Sequence, residues 1–308
     1  MLAMVATAAA QAPYPNRNVT LVLPFAAGSG TDTTTRLIGK ELGTALGVST
    51  VIENKAGANG SIAASFVARS PADGYTLFVT TNTTHSANPY LLKTMSYDPI
   101  KDFTPIARTG DLPFMLVIHP DIPANSVAEL IALAKKEPGK YSYASGSSSA
   151  IVSGATFARL AGIDLLHVPY KSSPPALTDV IAGRVSMMFI DVPTGLPHVN
   201  AKALKSLAVT TKKRSALLPD LPTMDDTVKG FDITSWQGYL GPANMPKDIV
   251  VKLNAEIRKV IERPDIKKQL AERGMEAFSG TPEEFDAFLK EQLVLWEKLI
   301  ADAGIEKQ

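Results

Sequence analysis

The chain has 308 residues, a formal net charge of +1 from 31 basic and 30 acidic side chains, and no cysteine. That length builds one large or two medium domains with proper cores, and so balanced a charge supplies no field to draw the chain onto nucleic acid. The absence of cysteine excludes disulfides, thiolate catalysis and cysteine-held metals, and no run of eighteen apolar residues is present to span a membrane.

Met1 to Ala12 is small and apolar and closes on Ala10-Gln11-Ala12. It reads as the back half of a secretory signal that lacks its basic first segment, the alternative being a plain alanine-rich tail. We therefore leave it out of the fold. Val19 to Leu23 is a β-favouring apolar run, as expected of a strand buried on both faces, and Pro24 should stop it. Gly28 and Gly30 make a flexible loop, Asp32 is the expected N-cap, and Ile38, Leu42, Ala45 and Leu46 recur at helical spacing before Gly47. A strand, a Gly-rich loop and a helix start together present unpaired backbone N–H groups, which suit an anion.

A second strand is expected over Val48 to Ile52, and a short helix around Ile62, Phe66 and Val67. Tyr75 to Thr80 is strand-like and empties into Thr80-Thr81-Asn82-Thr83-Thr84-His85. Polar residues in that position lie where open α/β sheets place ligands; the plainer reading is a solvated loop. Asp98 to Pro105 reads as irregular, with a change of domain just beyond. Strands over Met115 to His119, Tyr141 to Ala144, Leu165 to Tyr170, Met187 to Ile190 and Leu204 to Thr210 alternate with helices over Ser126 to Lys136, Val152 to Ala161 and Ala176 to Ala182. Ser145 to Ser149 repeats the first loop's logic, and Asp191 stands at a strand end either to read a ligand or to cap the next segment. After Trp236, three helical segments with no intervening strand should pack back on one domain. The expectation is an α/β fold of parallel units.

Several segments together resemble the periplasmic solute-binding proteins of tripartite tricarboxylate transporters, the Bug family. They are Tyr14-Pro15 with VTLVLPFAAGSGTDTTTRL, PADGYTLFVTTNTTHSANPYL, YDPIKDFTPIA, HVPYKSSPPALTDVIAGRVSMMFIDVP, LAVTTKKRSALLPDLPTM and TPEEFDAFLKEQLVLWEKLI. The resemblance implies a two-domain Venus-flytrap fold, each domain a mostly parallel sheet flanked by helices. Domain 1 would be 14–112 plus 236–308 and domain 2 would be 113–235, with hinges near Asp111 to Phe114 and Ile233 to Trp236. It implies a periplasmic, monomeric protein, neither enzyme nor membrane-embedded, that takes no cofactor, metal or nucleic acid. Such a protein captures a small carboxylate and hands it to membrane permease subunits.

Carried over by residue, the loop with Phe25, Ala27, Gly28, Ser29 and Asp32 would hold a ligand carboxylate through backbone N–H groups, with Ala27 and Gly28 the main contacts. Thr81, Asn82, Thr83, Thr84 and His85 would line the same wall. Ser147, Ser148, Ser149, Tyr170, Lys171 and Ser173 would close from the other side, and Asp191 would meet an amino, hydroxyl or water partner. Ser29 stands where family members often have a third glycine. The serine loop is shorter than the common version, which often contains an Asn.

The rival reading is a nicotinamide-dinucleotide enzyme using Gly28-Ser29-Gly30, with Glu53 near the position of a ribose-binding acid. Against it, Thr33 occupies the third glycine position and Asp32 sets a negative charge beside a pyrophosphate. The four histidines, His85, His119, His167 and His198, are scattered and have no i, i+4 spacing, and no G-x-S-x-G elbow is present.

Overall fold

A computed structural model describes residues 14–216 and 218–307; the segment read as an export signal lies outside the described residues. In chain order the first elements are β1 (Val19–Leu23), α1 (Gly30–Leu46), β2 (Thr50–Asn54), α2 (Ser61–Ala68), β3 (Thr76–Thr81), α3 (Asn88–Leu91) and β4 (Phe103–Leu112). Next come β5 (Phe114–Ile118), α4 (Val127–Lys136), β6 (Ser142–Ser145), α5 (Ser148–Ala161), β7 (Leu166–Pro169), α6 (Ser173–Ile181), β8 (Met187–Asp191), α7 (Val192–Asn200), β9 (Lys205–Val209) and α8 (Met224–Thr227). The chain ends with β10 (Ser235–Pro242), α9 (Lys247–Glu262), α10 (Pro264–Glu272), β11 (Glu276–Ala277) and α11 (Pro282–Asp302).

The strands form two sheets, in the orders β11-β4-β10-β3-β1-β2 and β7-β6-β8-β5-β9. In the first, β1 pairs parallel with β2 and β3, while β10 runs antiparallel to both β3 and β4. In the second, β6 pairs parallel with β7 and β8, and β5 runs antiparallel to β8 and β9. The two reversed inner strands, β5 and β10, are the ones that follow a passage of the chain from one sheet to the other. The first passage is a single proline, Pro113, between β4 and β5. The result is a two-lobed α/β fold.

Side-chain alternation shows why the apolar runs are nearly continuous. In β1, Val19, Leu21 and Leu23 face one core and Val22 the opposite one. In β5, Phe114, Leu116 and Ile118 face one core while Met115 and Val117 face another. Both faces are covered, so neither needs a polar alternate.

Three expectations need correction. First, β2 starts two residues late because Gly47, in the left-handed region at φ 72°, ends α1, and the Val48 N–H closes back on the Gly43 carbonyl. Second, strands do intervene in the C-terminal part: β10 is a fully buried inner strand, and the short β11 pairs with β4. Third, the final helix does not pack on one lobe. Phe285 and Leu289 of α11 join Phe78, Phe103 and Trp236 on the first sheet. Trp296 and Ile300, further along, belong to a cluster that joins Ala87 and Leu91 of the first lobe to Phe114, Phe189 and Phe231 of the second. Gly238 makes the first of these contacts possible, since a β-carbon there would collide with the Phe285 ring.

Candidate functional site

Four helix N-termini converge between the sheets. The cavity they surround, about 20 Å3, is lined by Phe25, Ser29, Thr31, Thr81, Thr83, Leu112, Phe114, Ser147, Ser173, Asp191 and Ser235, and is room for a single water-sized group. Ser29 is the N-cap of α1, Ser147 that of α5, Ser173 opens α6, and Asp191 caps α7. Each N-terminus carries unpaired N–H groups and roughly half a positive charge. No Lys or Arg lines the cavity, so its anion-attracting field comes from backbone.

The loop after β1 is shaped by Asp32. Its carboxylate accepts from the Gly28 N–H at 3.0 Å, from Arg36 at 2.9 and 3.0 Å, and from the Asn54 amide at 3.0 Å, while that amide also holds the Phe25 carbonyl at 2.9 Å. Burial works to raise the Asp32 pKa, but the Arg36, Gly28 and Asn54 hydrogen bonds hold it below the usual carboxylate range. The N-cap is therefore Ser29, whose hydroxyl accepts from the Asp32 N–H at 3.3 Å. This corrects the N-cap from Asp32 to Ser29 and makes Asp32 the organiser of the loop. Ala27 and Gly28 are exposed and are not among the cavity-lining residues, and Asp32 holds the Gly28 N–H.

The Thr-rich stretch is not a solvated loop. Thr83–Ala87 forms a wide π-helical turn, wholly buried, a form that recurs at functional sites. Thr81 and Thr83 reach the cavity. Asn82 instead spans the lobes: its amide donates to Ser149 Oγ at 2.8 Å and its carbonyl accepts from Ser235 Oγ at 2.5 Å. Beside it the Ser148 N–H donates to Thr83 Oγ1 at 3.3 Å. Thus Asn82, Ser148 and Ser149 join wall to wall rather than lining the cavity.

Thr84 and His85 turn away behind the wall. His85 Nδ1 lies 2.6 Å from Thr80 Oγ1 and 3.1 Å from Thr84 Oγ1, and its ring packs among Phe78, Tyr97 and Phe103. Burial pulls its pKa down to about 3. Tyr170 also points elsewhere, its hydroxyl donating to Asp179 at 2.6 Å. Together with Lys171 it lines a separate outer groove of about 610 Å3, opposite Ala58, Asn59 and Met95.

Asp191 caps the next helix, one of the two roles expected of it, and its side chain also lines the cavity. Its Oδ1 accepts from the Thr194 N–H at 3.0 Å and hydroxyl at 2.6 Å. Burial pushes its pKa up, against the pull of the Thr194 bonds. Across the cleft lies Gly30, where a β-carbon would collide with that carboxylate. A dinucleotide finds no open face on this loop: the Gly28 N–H is held by Asp32, Gly30 is covered by Asp191, and Glu53 pairs with Lys55 at 2.7 Å.

Of the expected residues, then, Phe25, Ser29, Thr81, Thr83, Ser147, Ser173 and Asp191 meet at the cavity. Thr31 joins them, as do Leu112, Phe114 and Ser235, which were expected at the hinges and not as site residues. Thr31 had a local signal, since it sits in the first turn of the expected helix; the other three come from the strand ends where the chain passes between sheets.

The family described as "Tripartite tricarboxylate transporter family receptor" matches residues 34–305. A relative from Pseudomonas sp. (strain P51), the UPF0065 protein in the tcbD-tcbE intergenic region, is 33% identical over 293 residues, covering 94% of this chain and 87% of its own. Among solved structures, R. palustris Rpa4515 with adipate superposes with a TM-score of 0.94 at 36% identity, over 96% of this chain and all of that one. The periplasmic binding protein BugD gives a TM-score of 0.91 at 34% identity, over 96% and 100%. This chain belongs to the tripartite tricarboxylate transporter receptor family.

Proposed function

We propose that this protein captures a small carboxylate between its lobes in the periplasm and delivers it to the membrane permease of a tripartite tricarboxylate-type transporter. The observation that carries the reading is the convergence of four helix N-termini on the space between the lobes, with no basic side chain lining it; with the lobes together that space holds only a water-sized group, so a carboxylate enters as they part. Backbone N–H groups and hydroxyls hold a carboxylate through charge-assisted hydrogen bonds worth roughly 1.5–3 kcal/mol each. Related proteins support the ligand class, Rpa4515 being a structure with adipate. The lobes are 14–112 with 236–308, and 113–235. They hinge at Pro113 and between Phe231 and Ser235, and α11 links them. The protein acts as a monomer and catalyses no reaction.

A thermal-shift screen tests this. Adipate and other C4–C6 dicarboxylates, acidic amino acids, aromatic acids and NAD(P) are added to purified protein. A ligand at a hundred times its Kd adds about 2.7 kcal/mol and raises Tm by a few degrees. A shift with one carboxylate class and none with NAD(P) is expected; a shift with NAD(P) alone overturns the reading.

A further inference from the structure

Six helices among the described residues begin with a Ser, Thr or Asp whose side chain accepts from the backbone N–H three residues on. The pairs are Ser29–Asp32, Ser126–Glu129, Ser147–Ala150, Asp191–Thr194, Thr223–Asp226 and Thr281–Glu284. Ser172, at the same place before α6, makes no such bond. The sequence explains why: positions two and three beyond it are Pro174 and Pro175, which have no N–H to give. The Ser172 hydroxyl, 1% exposed, instead accepts from the Ala26 N–H of the opposite lobe at 3.1 Å. Its backbone is pinned for that reach, because Gly146 lies so close to the Ser172–Ser173 peptide that no β-carbon fits there.

We propose that Ser172 is a closure latch, a positioning residue that holds the two lobes together without touching ligand, and that Pro175 is what frees it for the task. In the open form the hydroxyl has no local backbone donor to satisfy it, so closing supplies its partner. This rests on the reading that the lobes open and close around a ligand. It predicts that restoring an N–H at position 175 gives Ser172 a competing bond within its own helix.

The test compares wild type, Ser172→Ala, Pro175→Ala and the double variant. The chain has no cysteine, so spin labels attach only at cysteines introduced at exposed Lys40 and Thr178 on the two lobes. The interlobe distance distribution is measured without ligand and with adipate. Both single variants are expected to lose part of the short-distance population and to release adipate roughly threefold to tenfold faster, the range for one lost hydrogen bond. The double variant is expected to match Ser172→Ala alone, since the two changes act through one bond. A purely local role predicts otherwise: Ser172→Ala would lower Tm, Pro175→Ala would not, and neither would change the distances. Equal distributions in all four proteins overturn the latch. If no protein binds adipate, that result counts against adipate as ligand, and the ligand-free distances still decide the latch.

Discussion

Gly30 lies against Asp191 so closely that a β-carbon at position 30 would collide with the carboxylate Oδ1. The contact joins the first turn of α1 to the cap of α7, and so belongs to the lobes together rather than to either one. Gly30→Ala should therefore act on closure alone. Overpacking costs about 1–3 kcal/mol, which weakens adipate binding roughly 5- to 150-fold by calorimetry. The ligand-free Tm should be equal or slightly higher, since alanine favours a helix more than glycine does. A variant that binds as tightly as wild type would show that binding does not need this contact.

Asp191→Asn keeps the α7 cap, because an amide oxygen still accepts from the Thr194 N–H, and removes the one acidic side chain from the cavity lining. The preference for a dicarboxylate over the matching monocarboxylate should rise; an unchanged ratio would mean that Asp191 does not read ligand charge. Stability carries a second signature. The folded pKa of Asp191 is raised by burial, so its stabilising neutral form is complete below the unfolded pKa near 3.8 and is lost as pH rises through the folded value. Denaturant titrations should find Asp191→Asn gaining on wild type from pH 4 to pH 7.

His85 carries the opposite dependence. Its folded pKa is about 3 against 6.5 for a free imidazole, so it favours folding fully above pH 6.5. That contribution drains away as pH falls toward 3, the full loss being on the order of 5 kcal/mol. His85→Phe keeps a ring among Phe78, Tyr97 and Phe103 and removes the titration. In urea melts between pH 7 and pH 4, the variant should lose less stability than wild type. Parallel curves would show that His85 does not titrate in this range.

The sequence was legible where one local cause decides the structure. The apolar runs of β1, β5 and β8 show strands buried on both faces. The start of α5 is less plain: expected at Val152, it lies at Ser148, because the Ser147 hydroxyl accepts from the Ala150 N–H and draws the last serines of the loop into the helix. β10 was hidden because Gly238, Gly241 and Pro242 interrupt it. Those glycines are what side chains outside the strand require, since Phe285 presses on the backbone at Gly238 and Met245 at Gly241. The site divides the same way. Ser29, Ser147 and Asp191 announce themselves at strand ends. The outward turn of Ala27 and Gly28 depends on Asn54, two strands' worth of chain away, reaching Asp32 and Phe25. Ser172 lies in the turn expected to close on a ligand, but its bond to Ala26 is not legible there, because a missing donor in its own helix acquires meaning only beside the opposite lobe.

The course of α11 through both cores also makes the completion of each depend on one segment. Trp296 and Ile300 lie far along the chain from β9, which ends at Val209, yet they belong to a core cluster that includes residues of the second lobe. Phe285 and Leu289 of the same helix belong to a core of the first. Neither core is therefore complete until α11 is in place, and removing the chain from Phe285 onward would leave two unfinished lobes rather than one intact and one lost.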